Sequence, residues 1–469
     1  LGVSNFWFRV FVFRYNIDVS KVFRALSFIV KFDLSLRSAK VEGKGILLTL
    51  SFLFFLSISH AQDIKYARSI VDTLAAPGMH GRGYVNEGDK IAATYIENEF
   101  KKFGLSPFDK SYRQEFTLDV IAFPGKMELR ADNKKLVPGV DFVIGDYIAG
   151  KGERTVVWLD SALLHKKKKL EKLKKDLLGD EYVFIIDARS TKIKKQLDSL
   201  VDKHLYFGEY GPAIIYTVDK LTWTVPRISG RLYSSLPTYI LKDKVSRKIK
   251  KLSFEVEAKK EKSYQTQNLI GYIPGTQYPD SFIVFSAHYD HLGKMGKDTY
   301  FPGANDNASG IAMLLNLAKY YSENKPKYSV AFMAFGAEEA GLVGSKYYTE
   351  HPLFPLKQIK FMVNTDLAGT GDEGITVVNG SVFNDEFKYL VKLNAQESLL
   401  KDVKVRGKAA NSDHYFFSEK GVKAFFIYTM GGIKAYHDIY DKAETLPLTE
   451  FEDYFRLLTG FGKYLMNDY

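Results

Sequence analysis

The sequence predicts an α/β protein: a mixed central β-sheet flanked by helices, with a β-rich lobe inserted into it. Three observations carry that reading. From Gln267 onward, apolar runs of strand length alternate with amphipathic helical stretches. A helical stretch, DKIAATYIENEFKKF at 89–103, stands earlier with no strands of its own nearby. Between the two, residues 113–262 replace the alternation with short β-rich runs and turn-forming Gly and Pro. The composition agrees: 46% hydrophobic and 26% charged residues describe a globular chain and exclude a disordered or fibrous one. The 469 residues allow one large domain or two to three ordinary ones.

The elements follow in chain order. Residues 1–61 read as a leader. Ile46–Ile58 (ILLTLSFLFFLSI) is uncharged and mostly apolar, follows Arg37, Lys40 and Lys44, and ends in Ser59-His60-Ala61. A basic flank, a short apolar core and a small-x-small end are the parts of a secretory signal peptide. The run is too short for a spanning helix, which needs about 20 residues. The first Met is Met79, so residues 1–40 read as an over-extended start, with translation expected near Val41. The leader holds eight basic and three acidic residues, so the other 408 residues carry +6 of the formal +11.

The helix over 89–103 places Ile91, Tyr95, Ile96, Phe100 and Phe103 on one face, with Gly104 as a stop. It is expected to pack on the later sheet, giving one domain from 62–112 plus 263–469. Residues 113–262 are then a separate inserted lobe, with strands expected at Thr155–Leu159 and Tyr182–Ile186. Its basic tract, His165–Asp176 (HKKKKLEKLKKD), reads as a solvated helix face. Buried strands are expected at Ser281–Ser286, Ser329–Phe335, Ile359–Val363, Ile375–Val378 and Lys423–Tyr428, and a helix at Gly310–Tyr321.

Polar clusters follow these strands. After SFIVFS comes Ala287-His288-Tyr289-Asp290-His291; after SVAFMAF, Gly336-Ala337-Glu338-Glu339; after IKFMV, Asn364-Thr365-Asp366; and after KAFFIY, at a distance, Tyr436-His437-Asp438. In open α/β sheets ligands bind at the carboxyl ends of strands, so these clusters should meet in one crevice. Asp306, just before the Gly310 helix, can reach the same place. Its competing role is a helix N-cap.

With no cysteine in the chain, any metal must be held by His, Asp and Glu. His288, Asp306, Glu339, Asp366 and His437 supply two imidazoles and three carboxylates, which suit two divalent ions better than one. A carboxylate has two oxygens, so one of the three can bridge the pair. Paired ions of this kind activate water for hydrolysis. Glu338, adjacent to a proposed ligand, is free to act as general base. Asp290, two residues after His288, is placed to orient that imidazole. His291 is expected beside the site without binding, and His414 is either behind it or in a plain loop. His80, His165, His204 and His351 read as ordinary surface or core residues.

The segments SAHYDHLG (286–293), GANDNASGIAMLL (303–315), AFGAEEAGLVGSKYY (334–348), VNTDLAG (363–369), SDHYFFSEKGVKAFF (412–426) and YHDIYD (436–441) resemble the co-catalytic di-zinc aminopeptidases of peptidase clan MH. The bacterial leucyl aminopeptidases are the type members. Residues 78–104 also resemble that family's first helical segment, and 113–262 sit where members often carry a protease-associated domain. The resemblance implies the zinc aminopeptidase fold and two Zn2+ per chain, or another divalent metal in their place. It implies that His288 and Asp366 bind one ion, Glu339 and His437 the other, that Asp306 bridges them, and that Glu338 is the base.

Two positions depart from the pattern. Ala409 stands where some relatives have an oxyanion-stabilising Tyr, leaving that task to metal alone or to another group such as Tyr415. The last ligand sits in YHDIYD rather than Tyr-His-Thr-Pro.

The expected function is an exported metallo-aminopeptidase, periplasmic or secreted, acting on peptide substrates. No nucleic-acid partner is expected, and no stable membrane anchor once the signal is removed. The alternatives are a single-zinc acyltransferase like the glutaminyl cyclases, whose fold is similar, and a receptor-like member without catalysis.

Overall fold

The structure, a computed structural model, describes residues 64–145, 149–159, 181–187, 214–226 and 238–467. The expected leader, the basic tract at 165–176, His165 and His204 lie outside the described residues. Among those described, no helix is long and apolar enough to cross a membrane.

An eight-stranded mixed sheet forms the centre. Its spatial order is Arg113–Ala122, Lys259–Ile273, Tyr328–Phe335, Tyr278–His288, Ile359–Asp366, Ala424–Met430, Gly374–Val378 and Val403–Val405. The four middle strands, from Tyr328–Phe335 to Ala424–Met430, run parallel to one another. They are the apolar runs identified in the sequence, and burial on both faces explains why they read as continuous rather than alternating.

Successive side chains nevertheless go to opposite faces. Ile283, Phe285, Val330, Phe332, Phe361, Val363, Phe425 and Ile427 join one core cluster, while Phe282, Val284, Ala331, Met333, Met362 and Ala424 join another. The first cluster is covered by helices Ile64–Leu74, Gly88–Lys102, Gly310–Glu323 and Phe451–Leu465, the second by Val343–Glu350 and His414–Glu419.

The early helix does pack on this sheet, through Ala92, Ala93, Ile96 and Phe100. Its buried face is rotated from the expected one: Ile91 is 39% exposed, because the small Ala92 and Ala93 let the helix approach closely. The Gly310–Glu323 helix is buried all round from Gly310 to Ala318, since the Ile64–Leu74 helix covers the side turned away from the sheet.

A second mixed sheet of eight strands lies within 127–256, between Met127–Ala131 and Lys251–Val256, and contains Gly150–Leu159 and Tyr182–Asp187. At the ends of the 113–262 segment, Arg113–Ala122 and Lys259–Ile273 pair antiparallel and belong to the central sheet. This ribbon carries the chain out of one sheet and back. Its outer part is exposed and rich in Lys and Glu, which is why it does not read as core. The two sheets also share packing. Leu292, Phe301, Ala337 and Ala340 of the central domain lie in the same apolar cluster as Phe142, Ile215, Trp223 and Phe254 of the insert.

Candidate metal centre

His288 and Asp366 are the final residues of neighbouring parallel strands. The register pairs Ser286 with Asn364, which sets His288 and Asp366 level. Glu338 and Glu339 follow Phe335, the residue opposite His288 on the other side. All these side chains therefore leave the carboxyl edge of the sheet together, at the crevice expected of an open α/β fold.

Asp306 arrives from the segment Ala304–Ser309 ahead of the Gly310 helix. The helix end is capped by Asn307, whose Oδ1 accepts the Gly310 N–H at 3.0 Å, so Asp306 is left for the pocket. Its two oxygens diverge: Oδ1 lies 3.4 Å from His288 Nε2, and Oδ2 lies 3.1 Å from His437 Nε2. His288 Nε2 also meets Asp366 Oδ2 at 3.3 Å, and His437 Nε2 meets Glu339 Oε2 at 3.2 Å. Two donor groups result, His288–Asp306–Asp366 and His437–Asp306–Glu339, sharing one carboxylate.

His291 approaches the second group from behind, with Nδ1 2.8 Å from Glu339 Oε1. Its nitrogen also lies near enough to Asp306 and Glu339 to form a ligand triad with them. His437 Nε2, however, contacts both carboxylates, at Asp306 Oδ2 and Glu339 Oε2, whereas the close contact of His291 is to Glu339 Oε1.

The charges are tightly balanced. Burial raises the Asp306 carboxyl, but hydrogen bonds from His288 and His437 outweigh it and hold the group well below its usual range. Burial also acts against ionised Glu339, yet the charge on His437 and bonds from both neighbouring imidazoles bring it down to about 2. Conversely, burial disfavours charge on His437, but Glu339 and Asp306 push it up to about 11. His288 is raised well above the usual histidine range; burial opposes this, and Glu338 and Asp366 prevail. Protons on these two imidazoles thus stand where divalent cations would neutralise the carboxylates. The donor set fits zinc: imidazole and carboxylate ligands, buried, with no thiolate required.

Glu338 makes no side-chain hydrogen bond to any described residue, and burial raises its carboxyl well above the usual range. The Asp290 carboxylate accepts the backbone N–H groups of Glu338 and Glu339 at 3.0 and 3.2 Å, fixing the turn that presents both. His288 Nδ1 faces the Asp290 backbone oxygen at 3.2 Å and the carboxylate Oδ1 at 3.9 Å. His414 is buried and stacks on Phe426, with burial pulling it down to about 4. Tyr415 packs edge-on against Phe416, while Tyr436 stacks on the His437 ring at 4.0 Å.

Three further residues support the site, two of them beyond sequence reasoning. Arg82 is fully buried and donates to the carbonyls of Leu74, Tyr289, Pro302, Gly303 and Asp306 at 2.7–3.2 Å. Asp441 accepts the N–H groups of Asn305 and Asp306 at 2.8 and 2.9 Å. The Trp223 carbonyl meets His437 Nδ1 at 2.9 Å. The first two hold the loop that carries Asp306. Gly303 in that loop has φ +59°, and a Cβ there would meet the Asp306 carbonyl at 2.2 Å and the His291 ring at 2.3 Å. Only Asp441 had a signal in the sequence, its spacing from His437.

Sheet order, helical layers and the pocket at the strand ends make this the architecture of the zinc aminopeptidases. A solved zinc aminopeptidase from Bacillus subtilis, BSAP, superposes with a TM-score of 0.62 at 19% identity, covering 87% of this chain and 94% of that one. A peptidase M28 precursor from Shewanella amazonensis SB2B gives 0.64 at 18%, covering 86% and 93%. Residues 268–461 match the sequence model described as peptidase family M28. Among curated relatives, aminopeptidase YwaD of Bacillus subtilis (strain 168) is 31% identical over 162 residues, 34% of each chain. A probable zinc metalloprotease of Pyricularia oryzae is 27% identical over 196 residues, 38% of this chain and 36% of its own length. The chain thus spans about a third of the length of these two curated relatives.

Proposed function

We propose that this chain is a zinc-dependent aminopeptidase that removes N-terminal residues from peptides outside the cytoplasm. Two ions would be held by His288 with Asp366 and by Glu339 with His437, and Asp306 would be shared between the two positions. The observation that carries the reading is the divergence of the Asp306 oxygens toward two imidazoles from opposite sides of the pocket. One shared carboxylate between two complete donor groups favours two ions over the single zinc of a cyclase. The intact, largely buried donor set likewise favours an enzyme over a receptor.

When bound, such a pair supplies Lewis acidity to the scissile carbonyl and to the attacking water. The chain itself supplies the proton path. Glu338, with raised proton affinity, takes a proton from the attacking water and returns it to the leaving amine as the C–N bond breaks. Asp290 holds Glu338 on the pocket side through its backbone N–H. Export rests on the basic flank, apolar core and small-x-small end at 37–61. N-terminal sequencing of protein recovered from outside the cytoplasm tests it.

Glu338→Gln in metal-loaded, folded protein tests the enzymatic reading against a panel of aminoacyl fluorogenic substrates. Hydrolysis should fall by about 10²–10⁴-fold. Unchanged hydrolysis refutes the assignment, and one metal per chain with ring closure of N-terminal Gln reverses the choice of reaction.

A further inference from the structure

The outward nitrogens of the two candidate ligand imidazoles are held from different places. His288 Nδ1 is bonded within its own loop, to Asp290. His437 Nδ1 instead donates to the carbonyl of Trp223, 214 residues away, in the segment between the Ile214–Val218 and Thr238–Leu241 strands of the insert. The bond is one of a reciprocal pair, since the Trp223 N–H donates to the His437 carbonyl at 2.9 Å.

The His437 loop has little structure of its own. Residues 431–442 form no helix or strand, and His437 has φ +52°, a conformation a non-glycine residue keeps only where its surroundings impose it. The insert supplies those surroundings. Lys220 Nζ donates to the Lys434 carbonyl at 2.7 Å and pairs with Asp438 Oδ2 at 3.3 Å, bracketing the histidine. Trp223 is itself anchored: its indole N–H donates to the Ile144 carbonyl at 2.7 Å, and its ring packs against Phe301 and Phe123.

With Nδ1–H held by a carbonyl, Nε2 is the nitrogen turned toward Asp306 and Glu339, and loss of the Nε2 proton leaves the tautomer a metal ligand needs. We propose that the inserted lobe is a working part of the metal centre. Through the Trp223 backbone it fixes the tautomer and direction of His437, so that its seating sets the affinity of the Glu339–His437 position and leaves the His288–Asp366 position unaffected. This inference rests on the two-ion reading above. By linkage, filling the second position also tightens the seated lobe.

Zinc titration against a competing chelator, on the full chain, gives both affinities. Trp223→Ala keeps the carbonyl but removes the indole bond and ring contacts that fix it, and should weaken the second ion by up to about 10–100-fold, the range for loss of an outer partner of a metal-bound histidine, while the first ion stays unchanged. Lys220→Ala, an exposed change that spares the core, should shift the second ion in the same direction by a smaller factor. In wild-type protein, hydrogen exchange at residues 221–226 should slow when the second ion binds and not when the first does.

Both ions weakening together in the folded variants, or neither weakening, overturns the proposal. So does exchange at 221–226 that ignores the second ion, a measurement that stands even if Trp223→Ala does not fold. Wild-type protein that takes up one ion overturns the two-ion reading and this inference together. Two ions in wild type with no selective loss overturns the lobe's role alone.

Discussion

Replacing Arg82 by lysine separates the charge of this buried group from its geometry. The guanidinium is 0% exposed and reaches five backbone carbonyls, drawing together the end of the first helix, the His288–His291 loop and the 302–306 loop. An ammonium offers three donors on a narrower head, so at least two of those carbonyls lose their partner. Hydrogen bonds to a charged donor contribute about 1.5–3 kcal/mol each, and a carbonyl can keep part of its bonding through its second lone pair. The expected destabilisation is therefore about 2–4 kcal/mol. Arg82→Met, which removes all five bonds, should cost more. Urea unfolding of the metal-free protein measures both, with an unchanged m-value as the check on two-state behaviour. Because Gly303 and Asp306 are among the acceptors, zinc affinity should fall as well. Stability for Arg82→Lys within about 0.5 kcal/mol of wild type, the usual spread for surface changes, would refute the view of Arg82 as the knot of the site.

Other outcomes follow from the same geometry. Asp441→Ala removes the acceptor for the Asn305 and Asp306 N–H groups and should weaken metal binding with the sheet intact, seen as lower zinc affinity at unchanged far-ultraviolet circular dichroism. Metal binding should release protons near neutrality, because His437, raised to about 11, must lose one to ligate; affinity then climbs as pH rises. Calorimetry in buffers of different ionisation enthalpy reads the release, and none at pH 7 contradicts the charge balance described. Burial raises Asp89 from 3.8 to about 6, with Tyr264 and Thr266 donating to it. The native state therefore binds this proton more tightly than the unfolded chain does. Its contribution is full below about pH 4 and is lost as pH rises through about 6. The difference in denaturant midpoint between wild type and Asp89→Asn, followed across that window, should show this loss.

Part of the candidate site was legible because His288, Glu339 and Asp366 end or follow apolar runs long enough to be buried strands. Strand polarity then places His288, Glu339 and Asp366 at one edge without knowledge of any contact. His437 was reached by its motif rather than by its strand, which ends seven residues earlier at Met430. Supports that act through the backbone leave no such trace. Arg82 is a lone arginine between two glycines, and its acceptors lie up to 224 residues away. Trp223 reads as an ordinary aromatic of the insert, since what touches His437 is its carbonyl, a group every residue has. The ribbon of Arg113–Ala122 and Lys259–Ile273 was obscured for a different reason: half exposed, it has the composition of a surface hairpin while belonging to the central sheet.

The central claim is a pair of ions sharing Asp306. Anomalous scattering at the zinc edge from crystals of the metal-loaded chain tests it most directly. Two peaks should appear about 3.5–4 Å apart with the Asp306 carboxylate between them, one beside His288 and Asp366 and the other beside Glu339 and His437. A single fully occupied peak, or a second ion held away from Asp306, would contradict the account.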